Sequence, residues 1–181
     1  MAVKDTAWAA ARAEHDEVVA DFLATIDRFS EARWLRAPRP NKWSAATVTD
    51  HVAVTYAYGR NAATTGVGMR LLVPRPLAWT ARTFILPHIL RSKRFPRGAE
   101  APVEVRPVLT NSSELSQERA KEELTARAAE TLTAFDGALR DRPSLTITHA
   151  YFGPLSLLQT LRMLNAHTRH HAEGMRWRLD A

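Results

Sequence analysis

The chemistry this chain can do starts with two histidines four residues apart. His167 and His171 lie in the run NAHTRHHAEGM, residues 165–175. In a helix that spacing is one turn, so both imidazoles stand on one face within reach of a common cation. Two ligands rarely complete a site, because zinc takes three or four and a catalytic site keeps one position open. The best third candidate is His51. On a helix Val48, Val52 and Tyr56 lie roughly 60°, 100° and 140° from it, so it borders an apolar arc. The pair does the same, with Leu164, Leu157, Met175 and Leu161 at about 60° to 120° from His167. Three neutral imidazoles with no sulfur ligand suit Zn²⁺ or Ni²⁺. An i,i+4 pair also occurs in helices without a metal, and a lone histidine also serves as a hydrogen-bonded or exposed residue. The residues alone leave both readings open.

An open coordination position supports two reactions: hydrolysis by an acidified water, or attack by a metal-oriented thiolate on an electrophile. Neither comes with an evident base. Asp50 points about 100° away from His51 and Glu173 points off the ligand face, so both read as solvated carboxylates and no general base is assigned. Gly174 puts no side chain beside the pair, which leaves an opening for water or substrate. His170 falls on the far flank of that helix. His15 reads as a residue of a solvated face, His88 as part of a basic segment, and His149 as a cap or packing residue. Trp8 and Trp34 read as core, while Trp43, Trp79 and Trp177 are too scattered for a stacking platform. The chain has no cysteine, which excludes disulfides, thiolate ligands and a cysteine nucleophile. No G-x-S-x-G elbow, P-loop or dinucleotide fingerprint occurs.

Four long helices must position these residues. The first is expected from about Asp5 to Phe29, with Trp8, Val18, Phe22, Leu23 and Ile26 as its apolar stripe. The second starts after Ser44, a residue suited to an N-cap, and carries His51. The third is expected to open at Asn111 and Glu114 as a capping box and to run through Leu124, Ala128, Thr131, Phe135 and Ala138 to Arg142-Pro143. The fourth is expected to open at Gly153-Pro154 and to reach Leu179. Between the second and third helices lies a proline-rich crossover, residues 69–106, with an extra helix expected over 77–94. The expectation is therefore an all-α four-helix bundle with a long crossover, one domain spanning residues 1–181.

The formal net charge of +6 sits unevenly. Residues 69–106 hold eight Lys/Arg against Glu100 and Glu104, while the flanking segments balance. That pattern argues against a uniformly basic nucleic-acid binder and for one local feature. Its arginines suit an anionic substrate or thiol cofactor, its basic and apolar mixture suits an anionic membrane or nucleic acid, and it also reads as a solvated surface helix packing on a partner subunit. Residues 71–90 are too interrupted by proline and arginine to span a membrane, and a cytoplasmic protein is expected.

Two runs carry a family resemblance. NKWSAATVTDHVA, residues 41–53, is similar to a Lys-Trp-Ser start that delivers a histidine seven residues after the serine. HAYFGPLSLLQTLRMLNAHTRHHAEGM, residues 149–175, is similar to an aromatic-Gly-x-Leu turn followed by a His-x-x-x-His helix. Together they resemble the DinB/YfiT-like superfamily of metal-dependent hydrolases and thiol-dependent S-transferases. The resemblance implies a four-helix bundle, His51, His167 and His171 as ligands of a divalent metal, a small-molecule substrate and a homodimer. Many members carry Gln three residues after the last histidine, where this chain has Gly174. That departure fits a non-catalytic binding or stress-related bundle with a vestigial site as the alternative.

Overall fold

The computed structural model describes residues 2–95, 100–107 and 115–179, with side chains from Thr6 onward. From the N-terminus the chain forms α1 (Ala2–Ile26), a single turn α2 (Glu31–Trp34) and α3 (Ala45–Thr65). The crossover contributes α4 (Arg75–Thr80), a π-helical turn (Ala81–Ile85), α5 (Leu86–Ser92) and a 3₁₀ turn (Val103–Val105). Then come α6 (Gln117–Asp141), a hairpin of β1 (Thr146–His149) and β2 (Gly153–Ser156), and α7 (Leu157–Leu179). Helix α3 packs mainly on α6 and α1 mainly on α7, while α3 and α7 meet across the bundle. The fold is the expected all-α bundle. No helix among the described residues is long and apolar enough to cross a membrane.

The second helix begins where its sequence says it must. Ser44 Oγ accepts from the Thr47 backbone N–H at 3.1 Å, a cap contributing about 1 kcal/mol. Its β-branched content is accommodated because Thr49 and Thr55 donate their hydroxyls to the carbonyls one turn back. Gly66, at φ 79, ends the helix in the left-handed conformation that favours glycine. The main core gathers Phe22, Ile26, Tyr56, Leu124, Phe135 and Leu161, all fully buried. Val48, Val52 and Tyr56 are buried beside His51, as their spacing requires.

Three expectations change. Gly153-Pro154 does not open the last helix: residues 153–156 form β2, paired antiparallel with β1 in the register Thr146↔Ser156 and His149↔Gly153. Thr146, Ile147 and Thr148 supply the β-branched content, Pro154 is tolerated because this strand has a free edge, and Gly153 takes φ 68 at the corner. The third helix is capped by Ser116, whose Oγ accepts from the Arg119 N–H at 3.2 Å, and starts at Gln117. Asn111 and Glu114 lie outside the described residues. The extra helix of the crossover is not uniform: Pro87 cannot donate to a carbonyl one turn back, and the turn before it widens into the π geometry.

The crossover folds back as a cover with a core of its own. Leu86 and Ile89 of α5 pack with Phe152 and Leu155 of the hairpin and with Met163 and Ala166 on the outer flank of α7. Lys93 ties the cover to α1 through Glu14, at 2.7 Å, and Arg169 of α7 reaches the same carboxylate at 2.9 Å. The chain entering the cover runs along the free side of β1, with the Met69 N–H donating to Thr148 O at 2.7 Å and the Leu72 N–H to Ala150 O at 2.9 Å. Gly68 permits that approach, since a Cβ there would lie 2.4 Å from the Thr148 backbone nitrogen. Gly68→Ala is therefore expected to destabilise the fold by about 1–3 kcal/mol, because backbone rather than a movable side chain must yield. An unchanged urea midpoint in that variant would contradict the close approach.

Candidate metal centre

Helices α3 and α7 bring His51, His167 and His171 to one point. One ring nitrogen from each lies within 4.8 Å of the others, a group that can hold a divalent cation. His167 Nε2 stands 3.1 Å from His51 Nε2 and 3.1 Å from His171 Nε2. Nitrogens around a tetrahedral zinc at about 2.0–2.1 Å stand about 3.3–3.4 Å apart, so two edges of the triangle already approach ligand spacing.

Hydrogen bonding orients the first ring. His51 Nδ1 lies 2.6 Å from the Val105 carbonyl oxygen of the 3₁₀ turn. A carbonyl only accepts, so neutral His51 carries its proton on Nδ1 and presents the Nε2 lone pair to the cluster. This is the outer hydrogen bond that metal-binding histidines usually make. Without a cation, a single Nε2–H on His167 can be donated to only one of its two neighbours. A cation between the rings would satisfy all three nitrogens, so the donor set fits the group that the family motifs imply.

Burial keeps the cluster uncharged. It pushes His51, His167 and His171 below the usual histidine range, and for His167 and His171 the neighbouring imidazoles push further down. Burial also brings His149 down to about 4. The unfolded chain takes up protons on these rings near pH 6.5, whereas the folded chain refuses them. Stability of the metal-free protein therefore falls as pH drops below about 6.5, His149 alone accounting for about 3 kcal/mol by pH 4. Urea midpoints that do not decline from about pH 7 to about pH 5 would contradict this.

The cluster forms one wall of a cavity of about 580 Å³. Trp43 lies against the His51 ring at 5.0 Å between centroids, and Phe95 stands 5.8 Å from His167 and 5.9 Å from His170. The cover supplies Leu77, Ala81, Ile85 and Ile89, and the hairpin supplies Thr148, His149, Tyr151 and Phe152. Among the described residues no lysine or arginine lines this cavity. The described arginines of the crossover therefore do not reach into it as an anion clamp: Arg82 donates to the Pro154 carbonyl at 3.1 Å, and Lys93 is held by Glu14. Leu77, Trp79, Phe84 and Ile85 on the cover are exposed.

Other expectations are corrected by their surroundings. His15 is not on a solvated face but buried, with Nδ1 3.2 Å from Asn165 Oδ1 and its ring edge-on to Tyr56. Asp50 is buried rather than solvated, and its charge favours the protonated form of His51 against the larger effect of burial. Glu173 is exposed as expected. Gly174 is not part of the cavity lining, and a Cβ there would make only an ordinary contact with Arg178 Nη1, at 3.6 Å. His149 is more than a cap: it lines the cavity near the cluster. Trp8 and Trp34 are core residues whose indole N–H groups donate to Asp136 and to the Leu115 carbonyl. Phe95 and the Val105 carbonyl had no signal in the sequence, since each reaches the site through tertiary packing of the crossover, and Trp43, expected only as one of the scattered tryptophans, reaches it from the segment before α3.

The DinB superfamily profile matches residues 14–175, and the chain belongs to that superfamily. Neither the curated proteins nor the solved structures contain a match to it.

Proposed function

We propose that this DinB superfamily protein is a metal-dependent enzyme in which His51, His167 and His171 hold a divalent ion, Zn²⁺ or Ni²⁺, and which acts on a small molecule in the adjoining cavity. The observation that carries the proposal is the convergence of three imidazole nitrogens at the wall of a ligand-sized cavity. A cation held there supplies Lewis acidity, lowering the pKa of a water or thiol at the position three ligands leave open. Hydrolysis and thiol S-transfer are the two reactions this supports. The chain's own residues set the stage: Val105 fixes the His51 tautomer, and Trp43 and Phe95 pack against the His51 and His167 rings. The chain works as one domain in the cytoplasm, as its length and composition suggest, and as the homodimer that the family resemblance implies.

The test is a panel of esters, amides and thiol–electrophile pairs, assayed with and without chelator. Turnover lost on chelation and restored by zinc or nickel supports the enzyme. Turnover that persists unchanged in His167→Ala would overturn it. A second reading, a non-catalytic bundle that binds a ligand beside a vestigial site, draws on one observation: Glu100, exposed at the cavity, is the only carboxylate among the described lining residues. Chelator-sensitive turnover would end that reading.

A further inference from the structure

The cavity's walls say more about its occupant than its histidines do. Its volume, about 580 Å³, suits a molecule of drug-like size. Leucine, isoleucine, valine, methionine and aromatic side chains make up most of the lining, and no described lysine or arginine does. Away from the histidine cluster, a carboxylate or phosphate placed there would be desolvated with no lysine or arginine of the described lining to meet it. Of the lining hydroxyls, those of Thr55, Thr80, Thr160 and Tyr151 are already engaged within the chain, which leaves those of Tyr58 and Thr148. Thr55, Thr80 and Thr160 line the cavity, yet each donates its proton to a carbonyl one turn back in its own helix, at 2.8, 2.9 and 2.9 Å.

His149 is different. Its Nδ1 accepts the Tyr151 backbone N–H at 3.2 Å, so the neutral ring carries its proton on Nε2. No hydrogen bond from that Nε2–H to another described residue is formed, and the ring stands on the cavity wall near His167. We propose that the cavity takes an uncharged, largely apolar organic molecule whose carbonyl or similar acceptor is received by the Nε2–H of His149. The proposal deepens the functional reading above, resting on its choice of cavity but not on a bound metal. His149 is a positioning and specificity residue here: it aims the polar end of an otherwise apolar ligand towards the histidine cluster.

The experiment uses the full chain after chelation and three fluorophores. Phenylnaphthylamine is neutral, anilinonaphthalene sulfonate has the same ring framework with one added anionic charge, and Prodan is a neutral naphthyl ketone. The neutral amine is expected to bind at least about tenfold more tightly than the sulfonate. The net charge of +6 would favour the sulfonate at the surface, so a preference for the neutral probe reports the cavity. Ile85→Glu, at a cover position that lines the cavity and is 46% exposed, should weaken the amine about tenfold while leaving the circular dichroism unchanged. His149→Phe should leave the amine's affinity intact and weaken Prodan several-fold, and His149→Gln should restore part of it. Equal or tighter sulfonate binding overturns the apolar ligand, and unchanged Prodan affinity in His149→Phe overturns the donor role. Zinc titration of the same sample reads the metal separately: a failed titration with intact probe selectivity removes the metal reading alone, and the converse removes this one alone.

Discussion

His167→Ala is expected to reduce bound zinc or nickel from about one ion per chain to below about one-tenth, measured on protein purified without a histidine tag. The geometry makes His167 the most sensitive position. Its Nε2 is the nitrogen 3.1 Å from both of the others, so removing it leaves two rings with nothing between them. Loss of an outer hydrogen-bonding partner already lowers metal affinity about 10–100-fold, and loss of a ligand should exceed that. His88→Ala is the control, being an exposed histidine of the cover outside the cluster, and should bind metal like the parent chain. Equal metal content in the two variants would mean that any ion is held elsewhere.

The second large effect is on stability. A cation that binds only the folded chain adds about 2.7 kcal/mol when present at a hundred times its dissociation constant. For a chain of 181 residues that is a rise in Tm of about 5–10 °C, since each kcal/mol moves Tm by about 2–4 °C at this size. Chelation should reverse the rise, and His51→Ala should abolish the response to metal. His51 is buried under Trp43 and bonded to Val105, so this variant also loses packing. The diagnostic quantity is therefore its difference in Tm with and without metal. The response should persist through about pH 6.5 and weaken only at lower pH, because burial keeps protons off the three imidazoles of the folded chain. A Tm indifferent to metal and chelator in the parent chain would contradict a ligand set on two separate helices.

Much of this site was legible because helices convert spacing into direction. The i,i+4 interval of His167 and His171 fixed their common face, and Val48, Val52 and Tyr56 placed His51 at the edge of an apolar arc. That His51 should meet the pair came from the resemblance, not from spacing, since nothing local in α3 encodes a contact with α7. The misreadings have the same physical root. His15 lies between Glu14, Asp16 and Glu17, so its neighbours suggest solvent, yet it faces Asn165 on another helix. The hairpin was hidden because Gly-Pro resembles a helix start, and only Thr146, Ile147 and Thr148 signalled strand. The cover's role as an apolar wall, with its described arginines outside the cavity, was not legible either. It depends on α5 packing against the outer flank of α7, a flank whose Met163 and Ala166 look unremarkable in sequence.

The proposed function requires three rings from α3 and α7 to share one cation. Anomalous diffraction from a crystal soaked in zinc or nickel tests it most directly. A single strong peak is expected about 2.0–2.2 Å from the Nε2 atoms of His51, His167 and His171 together. A saturated crystal with no peak there, or with its peak on other residues, would contradict it.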